Sequence, residues 1–190
     1  MSGLVLTLIV LGVLAVLILI SFAQFNRLRA ANIAVDEALG QVDVQLKRRS
    51  DLIPNLVETV RGYAAHERGT FEEVTRARSA MDTAHSVGEL AQADNMLTSA
   101  LRSLFAVAEQ YPDLKASANF QSLQEELATT ENKIAFARQY YNDRVRILNT
   151  AVSTLPGLFF TSVAKVGQRE FYEVDSPEQR QAPQVTFPGP

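Results

Sequence analysis

The side chains that most often perform chemistry are few in this sequence and poorly spaced for it. There are two histidines, His66 and His85, and no cysteine. Neither histidine stands in an H-x-x-x-H or H-E-x-x-H spacing, so no zinc-binding helix face is offered, and no thiolate is available as ligand or nucleophile. Carboxylates do gather at Glu125, Glu126 and Glu131. A di-metal bundle site needs Glu-x-x-His pairs projecting inward, and no histidine lies three residues after a glutamate on such a face. Gly62, Gly69, Gly88 and Gly157 are isolated and build no phosphate cradle, so they read as breakers and caps. The residues therefore predict no catalytic site, no cofactor, no metal and no small-molecule substrate. A net charge of −3 without a basic cluster argues against nucleic acid as partner.

The elements that carry these residues are more informative. Residues 4–25 are almost wholly Leu, Val, Ile, Ala and Phe, and no charged side chain occurs before Arg27. At about 1.5 Å rise per residue, such a run crosses a hydrocarbon core of roughly 30 Å. Ser21-Phe22-Ala23 resembles a signal-peptide cleavage site. The run is longer than a usual signal core and has no preceding Lys or Arg, so an uncleaved anchor over 1–26 is expected. Arg27 and Arg29 follow the span directly, which by the positive-inside rule sets the remaining chain in the cytoplasm. The absence of cysteine is compatible with either side.

From Leu28 onward apolar residues recur in steps of three and four: Leu28, Val35, Leu39, Val42, Leu46, Ile53, Leu56 and Val60. Only a helix presents that stripe on one face. Pro54 falls inside it and should kink the helix or begin a new one capped by Ser50 or Asp51; the unbroken phase favours the kink. A weaker amphipathic stretch carries Phe71, Val74, Ala77 and Met81, and a third carries Leu90, Leu97, Leu101, Leu104, Ala108 and Tyr111, with Ser86 to Gly88 as a connection and Pro112 as a stop. The strongest pattern places Phe120, Leu127, Ile134, Tyr141, Leu148 and Leu155 at heptad spacing, ended by Pro156-Gly157. The expected fold is all-α, with a single transmembrane helix followed by an antiparallel up-down-up-down four-helix bundle over 27–155, whose first and fourth helices are long. An apolar and amphipathic segment over 156–174 and a Pro-rich disordered tail over 175–190 complete the division.

One polar position interrupts the first stripe. Arg49 stands where the helix should be apolar, and pairing Leu28 against Leu155 brings it level with Ile134 and one turn from Glu131. Either the arginine snorkels, or Arg48 or Arg49 joins Glu131 and Asn132 in a partly buried network that fixes register. Parity gives a second expectation: the first helix leaves the membrane, so the fourth returns toward it. Leu158, Phe159, Phe160 and Val163 then contact lipid or fold back over the base of the bundle.

The segments QVDVQLKRRSDLIPNLVETVRGYAAHE (41–67) and FQSLQEELATTENKIAFARQYYNDRV (120–145) resemble the LemA family of bacterial membrane proteins. The resemblance extends from the anchor to about Val174 and implies an N-terminal membrane segment, a four-helix domain and no established enzymatic activity. Ala38-Leu39-Gly40 stands where members tend to carry a Trp, and LNTAV and LP replace YNTAI and FP. Some members are lipoproteins with an exported domain; this sequence has no lipobox cysteine. The leading functional expectation is a non-enzymatic membrane-anchored scaffold or adaptor that binds the lipid bilayer and a protein partner or copies of itself as a homo-oligomer. The alternative is a membrane-remodelling protein acting by oligomerisation and shallow insertion.

Overall fold

The computed structural model describes residues 2–173, and the tail expected to be disordered over 175–190 lies outside them. Every regular element among the described residues is helical. Helix α1 spans Ser2–Arg61 without interruption. Its first third is apolar and outward-facing, with the window best suited to crossing a membrane wholly unburied by protein. The few hydroxyls there satisfy themselves along the helix, Thr7 donating to the Gly3 carbonyl at 3.0 Å and Ser21 to the Leu17 carbonyl at 2.8 Å. This is the arrangement a lipid-exposed helix needs, because hydrocarbon offers no partner for an O–H. Pro54 lies inside α1, so no new helix capped by Ser50 or Asp51 begins there. The proline forfeits one backbone donor, and the apolar stripe on either side outweighs that loss.

Helix α2 (Arg68–Thr83) buries Phe71, Val74 and Ala77, and packs on α3 (Val87–Ala108). The start of α3 is a capping box. Ser86 Oγ accepts from the Glu89 N–H at 3.1 Å, and the Glu89 carboxylate accepts from the Ser86 N–H at 3.2 Å and the His85 N–H at 2.8 Å. Gly88, expected in a connection, is therefore inside the helix. These backbone donors hold the Glu89 carboxyl below its ordinary value. Pro112 does more than stop a helix: it occupies the first turn of the short α4 (Pro112–Lys115), where a missing N–H costs nothing. Helix α5 runs Ala118–Ser153. A 3-10 turn (Gly157–Phe160) and the one-turn α6 (Thr161–Ala164) follow.

The described residues fall into two compact units, one comprising 2–52 and 122–171, the other 53–121 and 172–173. In the first, Leu28, Val35, Val42 and Leu46 of α1 and Leu127, Ile134, Tyr141, Val145, Leu148 and Val152 of α5 are buried. In the second, Ile53, Leu56 and Val60 are buried, as are Val74, Leu97, Leu104 and Phe120. Phe120 meets Phe105 edge-on with centroids 6.2 Å apart. Leu155, the last residue of the heptad pattern, lies beyond the end of α5 and is exposed.

Candidate functional site

Three features of the first unit set functional side chains. The first is the ion pair. Arg49 sits on the buried face of α1, one step of three after Leu46, and its guanidinium donates to the Glu131 carboxylate at 2.6 Å. Arg49 is 1% exposed and Glu131 43%, so the charge enters from the interior and meets a carboxylate that keeps part of its hydration. Arg48 and Asn132 are exposed and stand outside this pair. Successive helical residues point about 100° apart, so a residue next to a buried one need not be buried with it.

The second feature is a groove of about 580 Å³ lined by Gly40 and Val44 of α1 and by Phe136 and Tyr140 of α5, with Glu37 and Lys133 also on its walls. Gly40 has no atom within 4 Å of the position a Cβ would take, so the groove floor is open. Phe136, 74% exposed, stands up from it.

The third lies after α5, where the chain turns by 88° into the segment Gly157–Ala164. Gly157 is buried, and a Cβ on it would lie 2.0 Å from the Ala151 carbonyl oxygen and 3.7 Å from Leu28 Cδ2. Only glycine permits that approach. The turn is thereby seated against the first buried residue after the apolar span. Its own apolar side chains face outward: Leu155 is 69% exposed, Leu158 51%, Phe159 75% and Val163 69%, while Phe160 is half-buried.

Sequence reasoning missed the contacts that clip the returning chain to this unit. Asn149 donates to the Arg169 carbonyl at 2.9 Å and accepts from the Arg169 N–H at 2.8 Å. The Tyr141 hydroxyl donates to the Glu170 carbonyl at 2.9 Å, and the Arg169 guanidinium pairs with Asp36. Burial pushes the Tyr141 phenol up, so it remains a donor. In the second unit the Tyr172 hydroxyl donates to buried Asp94 at 2.6 Å. Asp94 carries a readable signal: it continues the α3 stripe of Leu90, Leu97 and Leu101 in phase, as Arg49 does in α1.

His66 and His85 are exposed, as are Glu125 and Glu126. Among the described residues no three of His, Cys, Asp and Glu converge as a metal site.

The LemA family model matches residues 38–187. Over 157 residues the chain is 23% identical to magnetosome protein MamQ 1 of Paramagnetospirillum magneticum, covering 69% of this chain and 58% of that one. It is 22% identical over 156 residues to magnetosome protein MamQ of Magnetospirillum gryphiswaldense, covering 68% and 57%. With protein LemA of Metamycoplasma hominis the identity is 25% over 167 residues, covering 82% of this chain and 75% of that one. The chain thus spans somewhat under three fifths of the length of these magnetosome proteins. None of the three bears the name of an enzyme. The matched stretch takes in Arg49 and Glu131, the wall of the groove at Phe136 and the turn at Gly157, and this chain belongs to the LemA family.

Proposed function

We propose that this chain is a single-pass protein of a bacterial cytoplasmic membrane, a non-enzymatic scaffold whose helices form an antiparallel up-down-up-down four-helix bundle held at the bilayer by the N-terminal span. The observation that carries the reading is the groove at Gly40 and Phe136: an open apolar surface without a convergent set of catalytic groups, on a chain that begins with a helix of membrane-crossing length. Its occupant is a second copy. Glu37 and Lys133 put opposite charges on the groove walls, so a two-fold-related copy sets each acid against its partner's base while Phe136 is covered. A photo-crosslinking residue at Phe136 of the full-length protein, activated in native membranes, is expected to yield a band of twice the chain mass. Adducts of other mass alone would mean that a different protein is recruited and would remove the self-association.

Arg27 and Arg29 support a cytoplasmic position for the residues after the span. A reporter fused after Pro190 is then active in the cytoplasm, and neutralising both arginines weakens that preference. Periplasmic activity of the unaltered fusion refutes the orientation.

The outward-facing side chains at Leu158 and Phe159 favour a second reading, a protein that reshapes membranes by oligomerising and inserting shallowly. Tubulation or vesiculation of liposomes by the purified full-length protein selects it; unchanged vesicles leave the scaffold.

A further inference from the structure

We infer that the turn from Leu155 to Val163 is a second, monotopic contact with the same bilayer that the N-terminal helix crosses, and that its ligand is an anionic phospholipid surface. Leu155, Leu158, Phe159 and Val163 form an exposed apolar cluster on a turn that Gly157 seats closely against Ala151 and Leu28. A cluster of this kind on a soluble surface marks an interaction site. The occupant is set by continuity. Gly157 lies against Leu28, and Leu28 is three residues beyond Phe25, where the apolar run ends. At about 1.5 Å per residue, that is within about 5 Å of the hydrocarbon edge along α1, the depth at which interfacial segments reside. The turn also leaves α5 at 88°, so if α5 follows the membrane normal the turn lies in the membrane plane.

Charge selects the headgroup. No acidic residue precedes Asp36, and none lies between Asp143 and Glu170. The charged residues in those stretches are Arg27 and Arg29 on one side and Arg144, Arg146, Lys165 and Arg169 on the other. Arg27, Arg29 and Lys165 are exposed; the two arginines flank Leu28, against which Gly157 lies, and Lys165 follows Val163 by two residues. Basic residues beside an apolar insertion favour phosphatidylglycerol-type headgroups over zwitterionic ones.

The inference rests on the N-terminal helix being inserted, and the test separates the two. The chain has no cysteine, so single-cysteine variants of the full-length protein take one fluorophore each. Reconstitution of F159C, L14C and Q124C into mixed phosphatidylcholine and phosphatidylglycerol vesicles is followed by quenching with lipids spin-labelled just below the headgroup or deep in the acyl chain. Expected are severalfold stronger quenching at Phe159 than at Gln124 by the shallow label, strong quenching at Leu14 by the deep one, and a loss of the Phe159 signal when phosphatidylglycerol is omitted. Equal, weak quenching at Phe159 and Gln124 with Leu14 still quenched overturns the second contact alone. Failure at Leu14 as well overturns the anchor. L158C provides an independent position should F159C misfold, and quenching there must follow the same pattern.

Discussion

Asn149 holds Arg169 by both edges of its amide, accepting from the backbone N–H at 2.8 Å and donating to the carbonyl at 2.9 Å. A side chain has here taken the part of a neighbouring strand, giving an extended segment the two bonds its backbone requires. Asn149→Ala removes both and is expected to cost about 1–3 kcal/mol. Thermal melts of the detergent-solubilised protein should show the loss, and limited proteolysis should open first between Lys165 and Phe171. A variant as stable and as resistant as the parent would mean the clip is ornamental.

The ion pair of α1 and α5 predicts non-additivity. Removing a charge from a fully buried pair costs about 3–5 kcal/mol, and Arg49→Ala should fall at or below that range because Glu131 keeps water once released. Glu131→Ala takes the carboxylate at 2.6 Å away from a guanidinium that stays buried, and should be the costlier of the two. The double variant should lose less than the sum by about 0.5–3 kcal/mol, which denaturant titration of all four proteins measures. Strict additivity would show that the pair contributes no coupling.

Gly157→Ala places a methyl group on the Ala151 carbonyl. Neither group is the end of a flexible chain, so the turn must move, at about 1–3 kcal/mol. The expected signature is a lowered Tm together with weaker shallow-lipid quenching from a label at Phe159. A lowered Tm with unaltered quenching would show that the turn tolerates displacement.

Acid should weaken the start of α3. The Glu89 carboxyl lies below its ordinary value because the His85 and Ser86 N–H groups donate to its charged form. The unfolded chain therefore binds the proton more readily, and the stabilisation is fully present above the ordinary carboxylate range. It is lost as pH falls through the lowered native value. Glu89→Gln should flatten that part of the pH dependence of Tm, and Ser86→Ala should cost about 1 kcal/mol at neutral pH. An unchanged acid limb in Glu89→Gln would assign the loss to other carboxylates.

The long helices were readable because a stripe of apolar residues in steps of three and four has no competing interpretation, and it carried α1 correctly through Pro54. Arg49 was legible for the same reason, as a charge in the phase of Leu46 and Ile53. The rule reached further than it was applied: Asp94, Thr130 and Arg138 also fall in phase with their stripes and are also buried. Arg48 and Asn132 adjoin the paired residues in sequence but are exposed, since successive side chains on a helix do not face one another. The clip of Asp36, Tyr141 and Asn149 onto residues 169–170 left no trace in the pattern. Side chains that grip an extended backbone have no period, and their partners lie 20 or more residues away.

That clip closes a loop. Asn149 and Arg169 are 20 positions apart, and everything between them, including Leu155, Leu158, Phe159 and Val163, is tied at its neck. The loop's conformational entropy is surrendered when the chain folds, before anything touches those side chains. Whatever meets them meets a surface already in its final shape, and the free energy of contact is not diminished by the ordering of a loose segment.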